Sequence, residues 1–486
     1  MKKINTVLLG ILLLSFFNAF GQDETDAFRY SQLIPTGTAR FSSLAGSMGG
    51  FGADFSCLSS NPAGIGVYKR TEFTISPSLY YSKITSTYNA SDPYDFKFNF
   101  NLGNLGAVFV MPVAKKWFVQ FGTGLNRLNN YNNRYLIKGI NQGYIDNTTT
   151  SITDYFAQIS NGVADSNLTG LSNWAYQNYI IDPDTNSPIA NQYISHLAGL
   201  NVNQQKNMIS TGSANEYIFS GGANYNDVVF IGATLGIPFF SYTNSYTYTE
   251  ILHDSLHTQS LFDSLISNHT LSSKGTGINF KIGVLYQPFK FLRFGAAIHT
   301  PTFYNNIREY YSFEYETKWL GAKYDDYTFN GKFDYTLTTP YRVLGDIGFI
   351  FGKYGFVNVH YDFTDYSSMQ LFSRYYDFDV ENEKIREYYQ AVHNIGISCE
   401  VNLSPVSLRL GYMYSSNPYQ AAANNDGSYH LITGGFGLRT DHFFTDFAYV
   451  HRFFYDKSVL YDTPNSSIVD SKIKNQHFIL TFGIKI

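Results

Sequence analysis

A closed transmembrane barrel of about fourteen antiparallel β-strands is the fold this sequence predicts. Three observations predict it: how the chain ends, what it is made of, and how its turns alternate. Residues 477–486 place Phe478, Leu480, Phe482, Ile484 and Ile486 on one face of an extended strand, and Thr481, Gly483 and Lys485 on the other. Side chains alternate across a strand, so the segment has one apolar side and one polar or small side. Such a terminal strand suits a closed barrel, whose last strand must pair with its first because lipid tolerates no open backbone edge.

Composition agrees. The chain has 486 residues, of which 18% are aromatic, including 41 Tyr and 42 Phe. Yet its mean hydropathy is only −0.18. Transmembrane barrels combine these properties, because every second residue faces a lumen and aromatic girdles mark both interfaces. A soluble secreted sandwich of this length needs several domains, and no linker is visible. Net charge is −4 with 15% charged residues, and no basic run exists to bind a phosphate backbone, so nucleic acid is not an expected partner.

The first residues read as an export signal. Lys2 and Lys3 precede an apolar stretch from Val7 to Phe20, and Ala19-Phe20-Gly21 sets small residues at the cleavage positions. Residues 1–21 are therefore expected to be removed, the stretch being shorter than the roughly 20 residues of a spanning helix.

Residues 22–69 are rich in Gly, Ser and Ala with little alternation, which suits a compact, irregular segment packed inside something. Phe41, Leu44, Phe51, Phe55 and Leu58 give it apolar groups to bury, which argues against a disordered leader. From residue 70 on, alternating segments recur between turn signals. Strands are predicted near 71–88, 95–111, 117–130, 216–225, 228–248, 273–286, 291–304, 330–351, 355–369, 386–401, 405–416, 428–438, 443–455 and 473–486. Connections alternate between short ones, such as Met111–Lys116 and Asn402–Pro405, and longer polar ones, as expected for periplasmic turns and extracellular loops.

One long insertion, 131–215, falls on the predicted outer side. Ile152, Tyr155, Phe156 and Ile159 have helical spacing, and Leu171, Trp174, Tyr176, Tyr179 and Ile180 form a second apolar cluster. The insertion reads equally as a trap for apolar ligands and as a cap packed on its own core.

Catalytic signatures are missing. His253-Asp254-Ser255-Leu256-His257 spaces two His like a zinc helix but lacks the neighbouring Glu and a third ligand. No nucleophile elbow, P-loop or dinucleotide fingerprint occurs, so no enzyme activity, metal or cofactor is expected. Polar side chains do gather on inward strand faces: Arg342, Asp346, His360, Asp362 and Arg409. They read as an ion-paired lumen wall or as a ligand or proton path, since buried charges need partners. Cys399 alternates with the lipid-facing set Ile395, Ile397 and Val401, so it and Cys57 are expected to stay unpaired.

Three short stretches carry a resemblance. Thr38-Ala39-Arg40, Gly52-Ala53-Asp54 and the Asn61-Pro62-Ala63-Gly64 box just before the first strand are similar to the N-terminal hatch of the FadL/TodX family. The segments Thr339-Pro340-Tyr341-Arg342-Val343 and Tyr361-Asp362-Phe363-Thr364-Asp365-Tyr366 resemble a hairpin of the same family. The resemblance implies an outer-membrane barrel of a Gram-negative bacterium, acting as a monomer and plugged by its N-terminal hatch. It implies passive transport of long-chain fatty acids or aromatic hydrocarbons: capture by extracellular loops, passage to an internal apolar site, and lateral exit beside a kink in the third strand. Phe121-Gly122-Thr123-Gly124 is the place where that strand could bend, with Gly122 and Gly124 as the hinge. Arg40 is expected to meet Asp346 or Asp362. The competing reading is a structural or surface-interaction barrel without transport.

Overall fold

The structure is a computed structural model describing residues 23–141, 144–145, 148–149, 151–253, 262–461 and 466–486. The export signal at 1–21 lies outside the described residues, as does most of the His253–His257 stretch.

Fourteen strands close into one antiparallel barrel. They are β1 (Glu72–Thr87), β2 (Tyr94–Ala114), β3 (Trp117–Asn130, continued by Asn133–Ile140), β4 (Val202–Tyr225) and β5 (Val229–Leu252). Next come β6 (Phe262–Phe289), β7 (Leu292–His299, continued by Phe303–Trp319), β8 (Tyr327–Thr338, continued by Arg342–Ile350) and β9 (Gly355–Asp365). The last are β10 (Ala391–Leu403), β11 (Val406–Ser415), β12 (Tyr429–Arg439), β13 (Phe443–Val459) and β14 (Ile468–Lys485). Closure is the pairing of β1 with β14, running from Glu72 opposite Lys485 to Thr87 opposite Asp470. The short turns gather at one end with Ile486 and the start of β1; the long connections gather at the other.

The wall follows the period-2 pattern. On β1, Ser76, Ser78, Ser82 and Ser86 point inward and are buried, while Phe73, Ile75 and Leu79 point outward and are exposed. The same belt includes Phe109, Phe121, Phe219, Phe280, Phe436 and Phe482. Trp117 and Tyr225, rings 4.8 Å apart, join Phe289, Phe291, Tyr354 and Phe443 as exposed aromatics near the short-turn rim. A wall apolar outside and polar inside, girdled by aromatics, spans a bilayer.

Several predicted boundaries move. β4 begins at Val202 rather than near 216, and Asn133–Ile140 pairs with it, so the insertion proper is shorter than 131–215. Residues 386–390 do not start a strand. Asp379–Tyr388 is a helix, with Asp379 and Glu381 in its first turn and Arg386 in its last, a charge order that favours helix over strand. The strands predicted at 291–304 and 330–351 are interrupted at Pro301 and Pro340, where no N–H is available for the ladder.

Residues 23–69 fill the lumen from the long-loop end downward. Helix α1 (Glu24–Ser31) sits high, α2 (Ala39–Ser43) lower, and two short 3-10 turns, Phe55–Ser59 and Pro62–Val67, lowest. Above the mouth, α3 (Ile152–Ser160) and α4 (Gly170–Gln177) share one buried cluster with strand ends of the barrel, among them Tyr248, Leu265, Tyr315 and Val469. The insertion is thus a cap whose core is continuous with the barrel. The remaining helix, α5 (Asp379–Tyr388), buries Ile385 in the cluster that holds Phe28 of α1.

Candidate functional site

The hatch is held by its own caps and by the wall. Asp23 caps α1 by accepting from the Thr25 and Asp26 amides. Phe28 stacks on Tyr389 at 4.8 Å, and Tyr30 on Phe240 at 4.1 Å. Thr38 caps α2, and its hydroxyl donates to the Asp54 carboxylate at 2.7 Å. Burial pushes the Asp54 carboxyl up from its usual range, and that hydrogen bond opposes the shift.

In the Asn61-Pro62-Ala63-Gly64 box, Asn61 accepts from the Ala63 amide at 3.1 Å and donates to the Gly49 carbonyl at 2.9 Å. Pro62 opens the 3-10 turn, where its missing N–H costs nothing. Ala63 packs on Phe230 and Leu285, and a Cβ on Gly64 would come within 3.0 Å of the Gly52 Cα. The box therefore ties hatch to hatch and hatch to wall.

Arg40 does not meet Asp346 or Asp362. Its guanidinium donates to Glu400 of β10, at 2.8 Å from Nε and 3.1 Å from Nη2. Arg409 donates from Nε to the same carboxylate at 2.7 Å and from Nη1 to Asp446 at 2.7 Å. Arg439 adds a contact to Asp446 at 3.0 Å. Two acids thus sit among three arginines beneath the hatch. Glu400 and Asp446 were missed from the sequence, although alternation with the outward Cys399 marks Glu400 as inward. Cys57 is buried in the hatch and Cys399 stays on the wall, both free.

The predicted polar wall divides into two groups. Arg409 belongs to the cluster just described. Arg342 pairs with Asp362, and His360 Nδ1 lies 3.0 Å from Asp346. Asp346 also accepts from Asn358 at 2.8 Å and abuts Gly49 of the hatch, where a Cβ would strike its carboxylate. Arg342, His360 and Asp362 line a cavity of about 90 Å³ together with Glu216, Lys281 and His299. There the Lys281 ammonium sits 2.5 Å from Glu216, and His299 Nε2 lies 2.6 Å from the Ser60 carbonyl.

Gly122 and Gly124 do not open the wall. Pairing of β3 with β2 and with β4 runs unbroken past both. Their inward faces are seats for the hatch: a Cβ on Gly122 would touch Leu58 at 2.9 Å, and one on Gly124 would touch Phe55 at 2.6 Å. An interruption at the closing seam of the wall lies elsewhere. At Ser76-Pro77, β1 shifts register against β2 and passes over Gly103, and neither residue is paired with β14, although Ile75 and Ser78 on either side are.

A cavity of about 210 Å³ lies between the cap and α1. One side of it is aromatic: Tyr155 and Phe156 from α3, Tyr246 and Tyr248 from β5, and Tyr311, Phe313 and Tyr315 from β7. Phe313 stacks on His269 at 4.3 Å, and Phe156 meets Tyr315 edge-on at 5.6 Å. The other side is polar and charged, with Asp23, Asp26, Arg29, Lys206, His269 and Glu309 among its lining residues. Sites for small molecules combine an apolar, aromatic wall with polar groups that fix orientation. A dry cavity of about 150 Å³ already takes benzene. Of the lining residues, the sequence marked Ile152, Tyr155 and Phe156; the strand aromatics alternate like any others and gave no separate signal. Among the described residues no cluster of potential metal ligands occurs.

No family model matches the chain, and no curated protein does. Solved structures do. The P. putida toluene transporter TodX superposes with a TM-score of 0.54 at 9% identity, covering 93% of this chain and 99% of that one. A Pseudomonas aeruginosa FadL homologue gives 0.53 at 12% identity, with the same coverage. The fold is therefore that of the FadL/TodX outer-membrane barrels.

Proposed function

We propose that this barrel lies in the bacterial outer membrane and lets small hydrophobic molecules, aromatic hydrocarbons or long-chain fatty acids, cross it passively. The cavity beneath the cap carries the reading: it is a ligand-sized space with one aromatic wall. The short-turn end faces the periplasm and the cap faces outside, as in this class of barrel. A hydrophobic solute enters through the cap, dwells among Tyr246, Tyr311 and Phe313, and leaves sideways into the bilayer. Burial of apolar surface is worth about 25 cal/mol per Å², so an exit into lipid rather than water needs no pump. The fold of TodX and the FadL homologue supports this class of cargo. The exit proposed here is the Ser76-Pro77 break in β1, not Gly122 and Gly124.

A structural or surface-interaction barrel is the second reading, supported by the hatch and ion pairs that occupy the lower lumen. Uptake separates the two. Vesicles carrying the inserted barrel should take up labelled toluene or oleate faster than barrel-free vesicles. Indistinguishable rates across a panel of such ligands would transfer the case to the second reading.

A further inference from the structure

On the two closing strands the outward positions change character toward the long-loop end. Along β1 they run Phe73, Ile75, Leu79, Tyr81 and then Lys83; along β14 they run Phe482, Leu480, Phe478, Gln476 and then Lys474 and Lys472. The alternate residues Ser82, Ile84, Ser471, Ile473 and Asn475 are buried on the lumen side, so all three lysines stand on the outer face of the wall. Lys83 lies directly opposite Lys474 in the β1–β14 ladder, and Lys472 lies opposite Thr85. Lys83 stands ten residues from Phe73 near the short-turn rim. That is about 33 Å of strand, or about 25 Å of height at a tilt of about 40°, which matches the apolar band of a membrane barrel. The lysines therefore mark the upper edge of that band.

Like charges directly opposite each other on a sheet repel, and among the described residues none of the three lysines has a carboxylate at ion-pairing distance. Lys83 lies over the Tyr94 ring at 4.2 Å and Lys472 over Tyr455 at 5.6 Å, contacts that leave the charge in place. Phe96 flanks Lys83 on β2 and Phe453 flanks Lys474 on β13. Asp95 and Asp456 point into the barrel, where they meet Arg134 and Asn425. Acids return on the outside one step higher: Asp470 opposite Lys457, and Asp426 in the loop whose Asn425 bonds the Lys457 backbone. With both acids counted, this face still carries Lys83, Lys457, Lys472 and Lys474 against two carboxylates.

We propose that this patch holds one lipopolysaccharide of the outer leaflet, the phosphates of its lipid A drawn to Lys83, Lys472 and Lys474 and its acyl chains descending over the rings below. The site requires that the cap end face outward, as proposed above, and does not depend on what the lumen carries. Charge and height together select the occupant. Basic groups at a membrane surface attract anionic headgroups, and lipid A carries its phosphates where its acyl chains begin, at the level of the three lysines. Beneath them Tyr81 meets Phe98 at 4.7 Å and Tyr449 meets Phe478 at 5.2 Å, paving the wall with apolar surface for the chains. Because Lys83 belongs to β1 and Lys472 and Lys474 to β14, a shared phosphate replaces their repulsion with a bridge across the closing seam.

The test is lipid retention by the purified full-length barrel, read by native mass spectrometry after exposure to equal amounts of bisphosphorylated lipid A and the same lipid with its phosphates removed. The wild type should hold the phosphorylated form about tenfold more tightly, because each basic group near the surface adds to the attraction. Lys83→Gln with Lys472→Gln and Lys474→Gln should erase that preference. Lys332→Gln should leave it intact, since Lys332 is an exposed lysine of the same outer face already paired with Asp334. Equal retention by the wild type overturns the proposal even if the triple variant does not insert, and so does a preference that survives the triple substitution. Equally tight retention of phosphatidylglycerol would assign the lysines to anionic lipid of any kind and also overturn it. Protease added to intact cells checks the orientation separately: a protected cap would sink the orientation and the site with it, whereas equal retention by a barrel whose cap is cut sinks the site alone.

Discussion

Arg409 is among the largest side chains in the protein with almost no exposure, and its environment shows why a charge can be kept there. Its partners Glu400 and Asp446 are themselves buried and each is shared with another arginine. Breaking a buried pair by removing one partner leaves an uncompensated charge and costs about 3–5 kcal/mol. Glu400→Gln should therefore lower the denaturation midpoint of the folded barrel in urea. Glu316→Gln should barely move it, because its partners Lys318 and Lys323 are exposed, and exposed pairs contribute about 1 kcal/mol or less. Equal shifts for the two variants would refute the role assigned to the cluster. At this scale the sequence was half legible. Inward-facing positions could be read from alternation, so Arg342, Asp346, His360, Asp362 and Arg409 were identifiable as lumen residues. Who pairs with whom was not, because strands nine and ten lie beside the hatch at a depth that only the closed barrel sets.

Elements were readable wherever lipid imposes a pattern, and became unreadable where it stops. β14 alternates cleanly because its outer face meets lipid along most of its length. The upper part of β4, Val202-Asn203-Gln204-Gln205-Lys206-Asn207, is polar on both faces and gives no period, yet it is strand because it continues a ladder begun lower down. Tertiary pairing there overrides local pattern. The glycines of β3 mislead for a different reason. A Gly in a strand marks either a bend or a close approach, and only the hatch shows that Gly122 and Gly124 belong to the second case. Gly122→Leu should thus act on the hatch, pushing Leu58 and Ile65 off the wall. The expected outcome is faster protease cleavage within residues 23–69 with the barrel still folded. Unchanged hatch protection alongside blocked uptake would restore the kink reading of β3.

Seen whole, the described residues form a barrel with a cap over one end and a hatch in its lumen, and transport through it requires a passage to open. The cap core is continuous with the barrel and the lower lumen is tied by buried ion pairs, so the less costly opening is through the wall. Among the places where the ladder is interrupted, Ser76-Pro77 lies at the closing seam, where proline supplies no donor and a bulge against β2 takes up Gly103. The hatch guards that place. The Ala39 amide donates to Thr481 of β14 at 2.7 Å, and the Thr481 and Ser76 hydroxyls lie 2.8 Å apart across the seam. A shift of α2 would release the Ala39 hydrogen bond and leave the Ser76–Thr481 contact as the side-chain tie across the seam there. The pair Ser76→Cys and Thr481→Cys sits close enough for a disulfide to lock β1 to β14. Under oxidising conditions the double variant should lose uptake of labelled toluene or oleate, and reductant should restore it to the level of the wild type. Neither single variant should respond to the redox state. Full uptake by the cross-linked protein, with the cross-link verified by mass, would show that cargo leaves by another route while keeping transport itself intact.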